Sequence, residues 1–416
     1  MNNSKKENYA LILSTIILGI IVGISSLILI LLLNTVEINF LHFKETALNP
    51  VSLNILPSRR LLSVFSGGII AALVWWILRT KFKPAVSVAK GTSGTNMPFF
   101  QTVAHVMTQI FYVGTGGSIG REVAPREAGA MFAQKCNHFF NRCGLELSLA
   151  DQKLLIAAAA GAGFAGVYSA PITGMFFCLE VLLKKITKRA IAVSLIMSII
   201  ATLISATVKG FGPYYLIGGG NFSLVFLLFV VLSAPLCSIS GTFFRRSFKW
   251  AEKNQNTTKK ILWTLPSMAL ITGIFSMSLP IIMGNGRALT QTAINTNIPS
   301  EIMILLIAGL VKAFLTVFTI QAGASGGTLT PSISIGASLG VIFGFIFKLL
   351  IPGISLWQCA LSGGCSFLAA SQQAPLMALF MIVEISHLNY AAFLPLGLGA
   401  ALSISISKII LHKKNS

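Results

Sequence analysis

Apolar segments crowd this chain, yet many are too short to cross a bilayer, and that mismatch constrains the fold more than any single residue. A spanning helix needs about 20 apolar residues. Runs near 9–36, 59–81, 189–209, 222–246, 261–284, 301–321, 330–351 and 391–411 reach that length; those near 98–113, 124–140, 153–166, 171–184, 355–370 and 374–386 do not. Glycine or proline bounds or breaks many of them, as at Gly116-Gly117, Gly161, Gly163, Pro171, Gly323, Gly326-Gly327, Pro331, Gly363-Gly364 and Pro375. In lipid, backbone leaves the helix only where protein or a lined cavity satisfies it. Short, broken helices at membrane depth therefore indicate half-helices that meet around a polar centre.

Composition supports that reading. Charged residues make up 10% of the chain and hydrophobic ones 54%, against about 25% charged in a soluble domain. The run Leu11–Val36 has no charge, and the polar stretch before it shows no small-residue cleavage site. It reads as a retained first span after a cytoplasmic tail, 1–8, and not as a signal peptide. The net charge of +20 does not imply nucleic acid, because the basic residues sit in short loops: Arg79, Lys81 and Lys83; Lys184, Lys185, Lys188 and Arg189; Arg245, Arg246, Lys249 and Lys253; Lys259 and Lys260; Lys413 and Lys414. Such clusters flank spans on the cytoplasmic side, against anionic lipid. Cys136, Cys143, Cys178, Cys237, Cys359 and Cys365 show neither CxxC nor histidine partners at metal spacing and read as buried small apolar residues. No metal site, cofactor or enzymatic nucleophile–base pair is expected.

The two halves of the chain echo each other. Ala170-Pro171 through Glu180 resembles Ala374-Pro375 through Glu384, an offset of 204 residues. Ser118, Gly120, Gly129 and Ala130 match Ser325, Gly327, Gly336 and Ala337 at an offset of 207. Two membrane repeats follow, 9–215 and 220–411, with a short tail at 412–416 and no regulatory domain. Internal repeats with broken helices are a transporter and channel pattern, with the site at the repeat interface.

Within the first repeat, Glu122 follows Gly116-Gly117-Ser118-Ile119-Gly120-Arg121. A carboxylate at membrane depth costs roughly 2.5–3.5 kcal/mol on insertion scales and marks a pathway by default. Glycines before a helix start let backbone N–H groups converge on an anion. A carboxylate placed there is a built-in competitor, which is to say a gate; the plainer alternative is a helix-capping carboxylate. The repeat mate of Glu122 is Leu329, so the second glycine-rich helix start offers only the amides of Thr328 and Leu329, with Thr330-Pro331 opening the helix. Convergent amides without a cationic side chain hold a small anion weakly enough to release it.

These residues resemble the CLC family of chloride channels and chloride/proton exchangers over almost the whole chain. Gly120-Arg121-Glu122 looks like the start of the family's GREGP motif, with Val123-Ala124 in place of Gly-Pro. Gly327-Thr328-Leu329-Thr330-Pro331 looks like GxFxP, and the two Ala-Pro segments look like the family's paired Ala-Pro helices. The resemblance implies an all-α integral membrane protein of two inverted-topology repeats of broken and tilted helices, and a homodimer with one pore per subunit. Glu122 is then the gating and proton-binding residue. Chloride is held by the amides of Thr328 and Leu329 and by the hydroxyl of Tyr390, which follows Asn389 before the last helix. The N-terminal GSGIP serine has its nearest counterpart in Gly91-Thr92-Ser93-Gly94-Thr95, which makes Ser93 the candidate donor. The position after Glu180, where exchangers often carry an internal proton glutamate, is Val181. The reading is chloride/proton exchange in a cell membrane, with chloride and protons as transported ions and lipid as the surroundings; the alternative is a passive chloride channel or uncoupled anion transporter. A cation path along Glu122, Glu180 and Glu384 is a third reading, in which neutralising Glu122 would abolish flux.

Overall fold

The computed structural model describes residues 3–142, 144, 147–350 and 353–412; Cys143, Lys413 and Lys414 lie outside the described residues. Among the described residues the regular structure is helical. The first half holds α1 (Asn3–Val36), extended by a π-helical turn Glu37–Leu41, then α2 (Pro57–Lys81), α3 (Val88–Thr92), α4 (Phe99–Gly114), α5 (Val123–Arg142), α6 (Leu149–Tyr168), α7 (Pro171–Phe176), extended by a π-helical segment Phe177–Leu183, and α8 (Lys188–Lys209). The second half holds α9 (Phe226–Lys253), α10 (Ile261–Ser278), α11 (Arg287–Asn295), α12 (Ile302–Gln321), α13 (Leu329–Leu350), α14 (Leu356–Gln372), α15 (Pro375–Ile385) and α16 (Phe393–His412). The expected N-terminal tail is helical from Asn3 onward, because α1 continues back through it.

Among the described residues, eight helices are long and apolar enough to cross a membrane. The first of them is apolar on its outward face as well as its inward one. On α1, Ile12, Ile16, Ile20, Ile24 and Ile28 are exposed at four-residue spacing, while Leu11, Leu18, Val22, Leu29 and Leu33 are buried. A helix apolar on every face is matched to lipid on one side and protein on the other. Cys178, Cys237, Cys359 and Cys365 are buried as free thiols.

The chain forms two compact units: Met1–Leu33, Ile77–Ile110 and Glu122–Gly212 in the first; Asn34–Trp76, Phe111–Arg121 and Pro213–Ser416 in the second. These are not the sequence halves. The segment Phe111–Arg121, which carries the first glycine-rich loop, belongs to the unit that also holds the second loop.

In the first unit α6 is the centre, buried from Leu154 to Tyr168. Backbone packs directly on backbone there: a Cβ on Gly163 would collide with the carbonyl of Pro125, so the first turn of α5 rests on α6 without a side chain between them. Small residues give this close approach in membranes, where dispersion replaces a hydrophobic drive. In the second unit α14 has the same role, buried from Leu356 to Ser371 and packed against α13 and α9. The two centres end in the same corner. Ser169 (φ 55°), Ala170 (φ −130°, ψ 72°) and Pro171 lead into α7; Gln373 (φ 58°), Ala374 (φ −140°, ψ 81°) and Pro375 lead into α15. A left-handed residue stops each helix, and proline starts the next without losing an intrahelical bond.

Candidate functional site

The first glycine-rich loop begins where α4 ends. Gly116 adopts φ +103°, and the space of its absent Cβ is taken by Met283 and Val64. Ser118 Oγ donates to the carbonyl of Ile282 at 3.1 Å and accepts from the ammonium of Lys312 at 2.9 Å. Lys312, on α12, is fully buried; its Nζ also donates to the carbonyls of Ile282 (3.1 Å) and Gly284 (2.6 Å). Three acceptors match the three N–H bonds of an ammonium, which is the condition for keeping one away from water. Lys312 belongs to none of the sequence motifs above, although a charge in the middle of the apolar run 301–321 is an available signal.

The second loop meets the first through one antiparallel bridge. Gly120 N donates to Gly327 O at 2.8 Å, and Gly327 N donates to Gly120 O at 2.7 Å. Gly120 and Gly327 are the repeat mates at the offset of 207. Mutual pairing of equivalent residues is what a two-fold relation between the loops produces, because its axis passes between them. Glycine is needed beside the bridge: a Cβ at neighbouring Gly326 would strike Ile119 and the carbonyl of Gly120.

Thr328 and Leu329 follow this bridge and are 8% and 2% exposed. Thr328 precedes α13; its carbonyl accepts from Ser332 N (3.0 Å) and Ser332 Oγ (2.6 Å), and its Oγ1 accepts from Gln372 Nε2 at 3.2 Å. The first amides of a helix have no acceptor within it and carry its positive end. Glu122 is fully buried immediately before α5. Its carbonyl accepts from Arg126 Nε at 2.7 Å, and the Arg126 guanidinium covers the ring of Phe177 at 4.7 Å. Glu127 is buried, and accepts from Gln109 Nε2 at 2.7 Å.

Arg121 stays with the second unit. It and Arg287 lie over the ring of Tyr214, at 5.5 and 4.0 Å, and Arg287 donates to the Tyr214 carbonyl at 2.8 and 3.0 Å and to Glu45 at 3.3 Å. The Tyr214 hydroxyl accepts from Asn285 Nδ2 at 2.9 Å. This buried cluster fixes the end of the loop that leads to Glu122. Its members are scattered along the chain and share no motif.

Two sequence candidates do not fit. Tyr390 is 87% exposed, and its ring lies against Phe393 at 5.6 Å. A hydroxyl that holds a dehydrated anion must be buried with it, as Thr328 and Leu329 are; the 3-10 turn at the entry to α16 points Tyr390 outward. Ser93 is exposed and caps the end of α3, with its Oγ donating to Lys90 O at 2.8 Å. An anion donor belongs at a helix start, and the start of α3 is Ser87-Val88, so the glycine motif was matched to the wrong end of this helix.

The comparisons with known proteins agree on one fold. The model of a family described as voltage gated chloride channel matches residues 68–408. The chain is 26% identical over 374 residues to a voltage-gated ClC-type chloride channel ClcB of Citrobacter koseri, covering 83% of this chain and 84% of that one. It is 27% identical over 368 residues to the protein of that name in an Escherichia coli strain, with the same two coverages. Among solved structures, a slow cyanobacterial Cl−/H+ antiporter superposes with a TM-score of 0.81 at 21% identity, covering 96% of this chain and 95% of that one. A CLC-type fluoride/proton antiporter gives 0.68 at 21% identity, covering 97% and 96%. These structures establish the all-α architecture of inverted repeats that the sequence resemblance implied.

Proposed function

The chain belongs to the voltage-gated chloride channel family, and from that premise we propose that it exchanges chloride for protons across a cell membrane. Anion transport by a multi-pass helical protein is the family property. The proton coupling, the residue roles, a homodimer with one pore per subunit and a plasma or inner membrane location are our reading. The observation that carries it is the Gly120–Gly327 bridge, which pairs the two glycine-rich loops, with a buried carboxylate following one in the chain and a buried pair of helix-start amides following the other. In this reading Thr328 and Leu329 hold chloride through their amides. Glu122 competes with the anion when ionised and yields to it when protonated. Ser93 and Tyr390 have no part in it, given their exposure.

Two antiporters among the structural neighbours favour exchange. One observation favours the passive alternative: the position after Glu180 is Val181, half-buried in the π-helical extension of α7, which offers no carboxylate for an inner proton. Purified protein in liposomes under a chloride gradient decides between them. Chloride movement that drives protons uphill without an ionophore is the expected outcome. Chloride efflux that moves no protons would establish the passive alternative, and no anion flux would overturn both.

A further inference from the structure

The exchange reading leaves one buried polar group unused. On α4, Thr102, His105 and Gln109 are spaced by three and four residues, so they lie on one face of the helix. All three are buried. They face the first turns of α5: Gln109 Nε2 donates to Glu127 Oε2 at 2.7 Å, and His105 Nε2 stands 3.5 Å from the same oxygen. Gln109 Oε1 and Thr102 Oγ1 are buried without a hydrogen-bond partner among the described residues. The surroundings are otherwise apolar: Val103, Val106 and Met107 of α4 and Ala128, Met131 and Phe132 of α5 line a common apolar cavity with α1.

We propose that Glu127, with His105 and Gln109, is the inner proton station of this exchanger, serving where Val181 cannot. The inference rests on the exchange reading above. Three features support it. First, a buried carboxylate that meets one amide and one imidazole, with no lysine or arginine salt bridge to it among the described residues, is costly to keep unless it works. Second, Glu127 lies five residues beyond Glu122 in the chain, a rise of roughly 7.5 Å at helical pitch, and both carboxylates are buried. Third, the stripe has a direction. It begins three residues into α4, which follows the basic loop with Lys81 and Lys83, and climbs about 10 Å toward the first glycine-rich loop.

The charged groups that act on the pair are Arg79, at the end of α2, on His105, and Arg126 on Glu127. The other elements packed on α5 bring it small or apolar groups. From α6 come Gly163 against Pro125 and the carbonyl of Ala159 against Gly129; α3 has one charged residue, Lys90, which is exposed. The step is a proton transfer only. An O–H bond breaks at the Glu122 carboxyl and one forms at Glu127 Oε2, directly or through a water held by Gln109 Oε1. The proton then leaves along His105 and Thr102 as Glu127 returns to carboxylate. No electron changes hands.

The test uses the full chain in liposomes, with chloride and proton movement recorded together for wild type, Glu127→Gln, Glu127→Asp and His105→Gln. Glu127→Gln keeps the shape and the acceptor for Gln109 but cannot carry a proton. The expected result is sustained chloride flux with a proton flux reduced about 100-fold, the low end of what a positioned proton-transfer group contributes. Glu127→Asp is expected to recover part of the coupling, and His105→Gln to slow it less than Glu127→Gln. Glu127→Gln with wild-type stoichiometry would overturn the proposal while leaving exchange intact. Wild type that moves chloride without protons would overturn exchange itself, and this station with it. Should Glu127→Gln fail to fold, unaltered coupling in both Glu127→Asp and His105→Gln would overturn the proposal.

Discussion

The two glycine-rich loops are mates in sequence and partners in space, yet they are braced by opposite chemistry. The first, Gly116–Arg121, is held by a buried ammonium, Lys312, and by a guanidinium–tyrosine cluster around Tyr214. The second, Gly323–Thr328, is held by neutral groups: Gln255 donates to Ala324 O at 2.8 Å, and Gln372 donates to Thr328 Oγ1. The cations gather behind the loop that leads to the carboxylate, and the neutral amides behind the one that leads to a helix start without one. The repeated loop is thus braced by charged groups on one side and by neutral groups on the other.

Neutralising the charged half should have the largest effect. Glu122→Gln is expected to remove proton movement altogether and to leave chloride flux intact; liposome efflux with chloride and protons recorded together reads both. A cation flux in the wild type that this variant abolishes would instead favour the cation reading. Next comes the brace. Lys312→Met leaves the carbonyl of Gly284 without its donor, while Ser118 and Ile282 lose one hydrogen bond each but keep the one between them. A buried unsatisfied group costs about 1–3 kcal/mol, so a loss of about 2 kcal/mol is expected in a melting experiment in detergent, with Lys312→Arg recovering part of it.

The neutral half should respond more gently. Gln372→Ala removes one hydrogen bond to Thr328 and is expected to cost about 1 kcal/mol, seen as a small drop in melting temperature and a few-fold weaker chloride binding by calorimetry. If Gln372→Ala instead matches Lys312→Met in severity, the contrast between the loops fails. Smallest of all, Tyr390→Phe is expected to leave chloride affinity unchanged. A clear loss of binding there would restore the hydroxyl as a ligand.

Much of the fold was legible because lipid leaves few options. Run length separated spanning from broken helices, and glycine and proline marked the breaks. The echo at 207 residues named Gly120 and Gly327 as mates before any coordinates did. Burial of Glu122, Thr328 and Leu329 follows from their place among glycines between apolar runs. The two candidates left exposed share a cause. Ser93 was suggested by the likeness of Gly91–Thr95 to a glycine motif and Tyr390 by its place before the last helix, and neither says which end of a helix a residue occupies or which way it faces. A turn of one residue at the start of α16 decides whether Tyr390 looks inward or out.

Sequence by itself determined the membrane class, the repeat and the two loops, because those depend on local hydropathy and on backbone that only glycine or proline permits. Tertiary structure alone decided which charges stand behind each loop. Lys312 lies 194 residues from Ser118, and Arg287 lies 242 from Glu45. It also decided that Glu127 is buried against His105 and Gln109 and is not solvated. Pairings at that separation leave no pattern in the chain; they exist only because a buried charge must find its partners wherever the fold brings them.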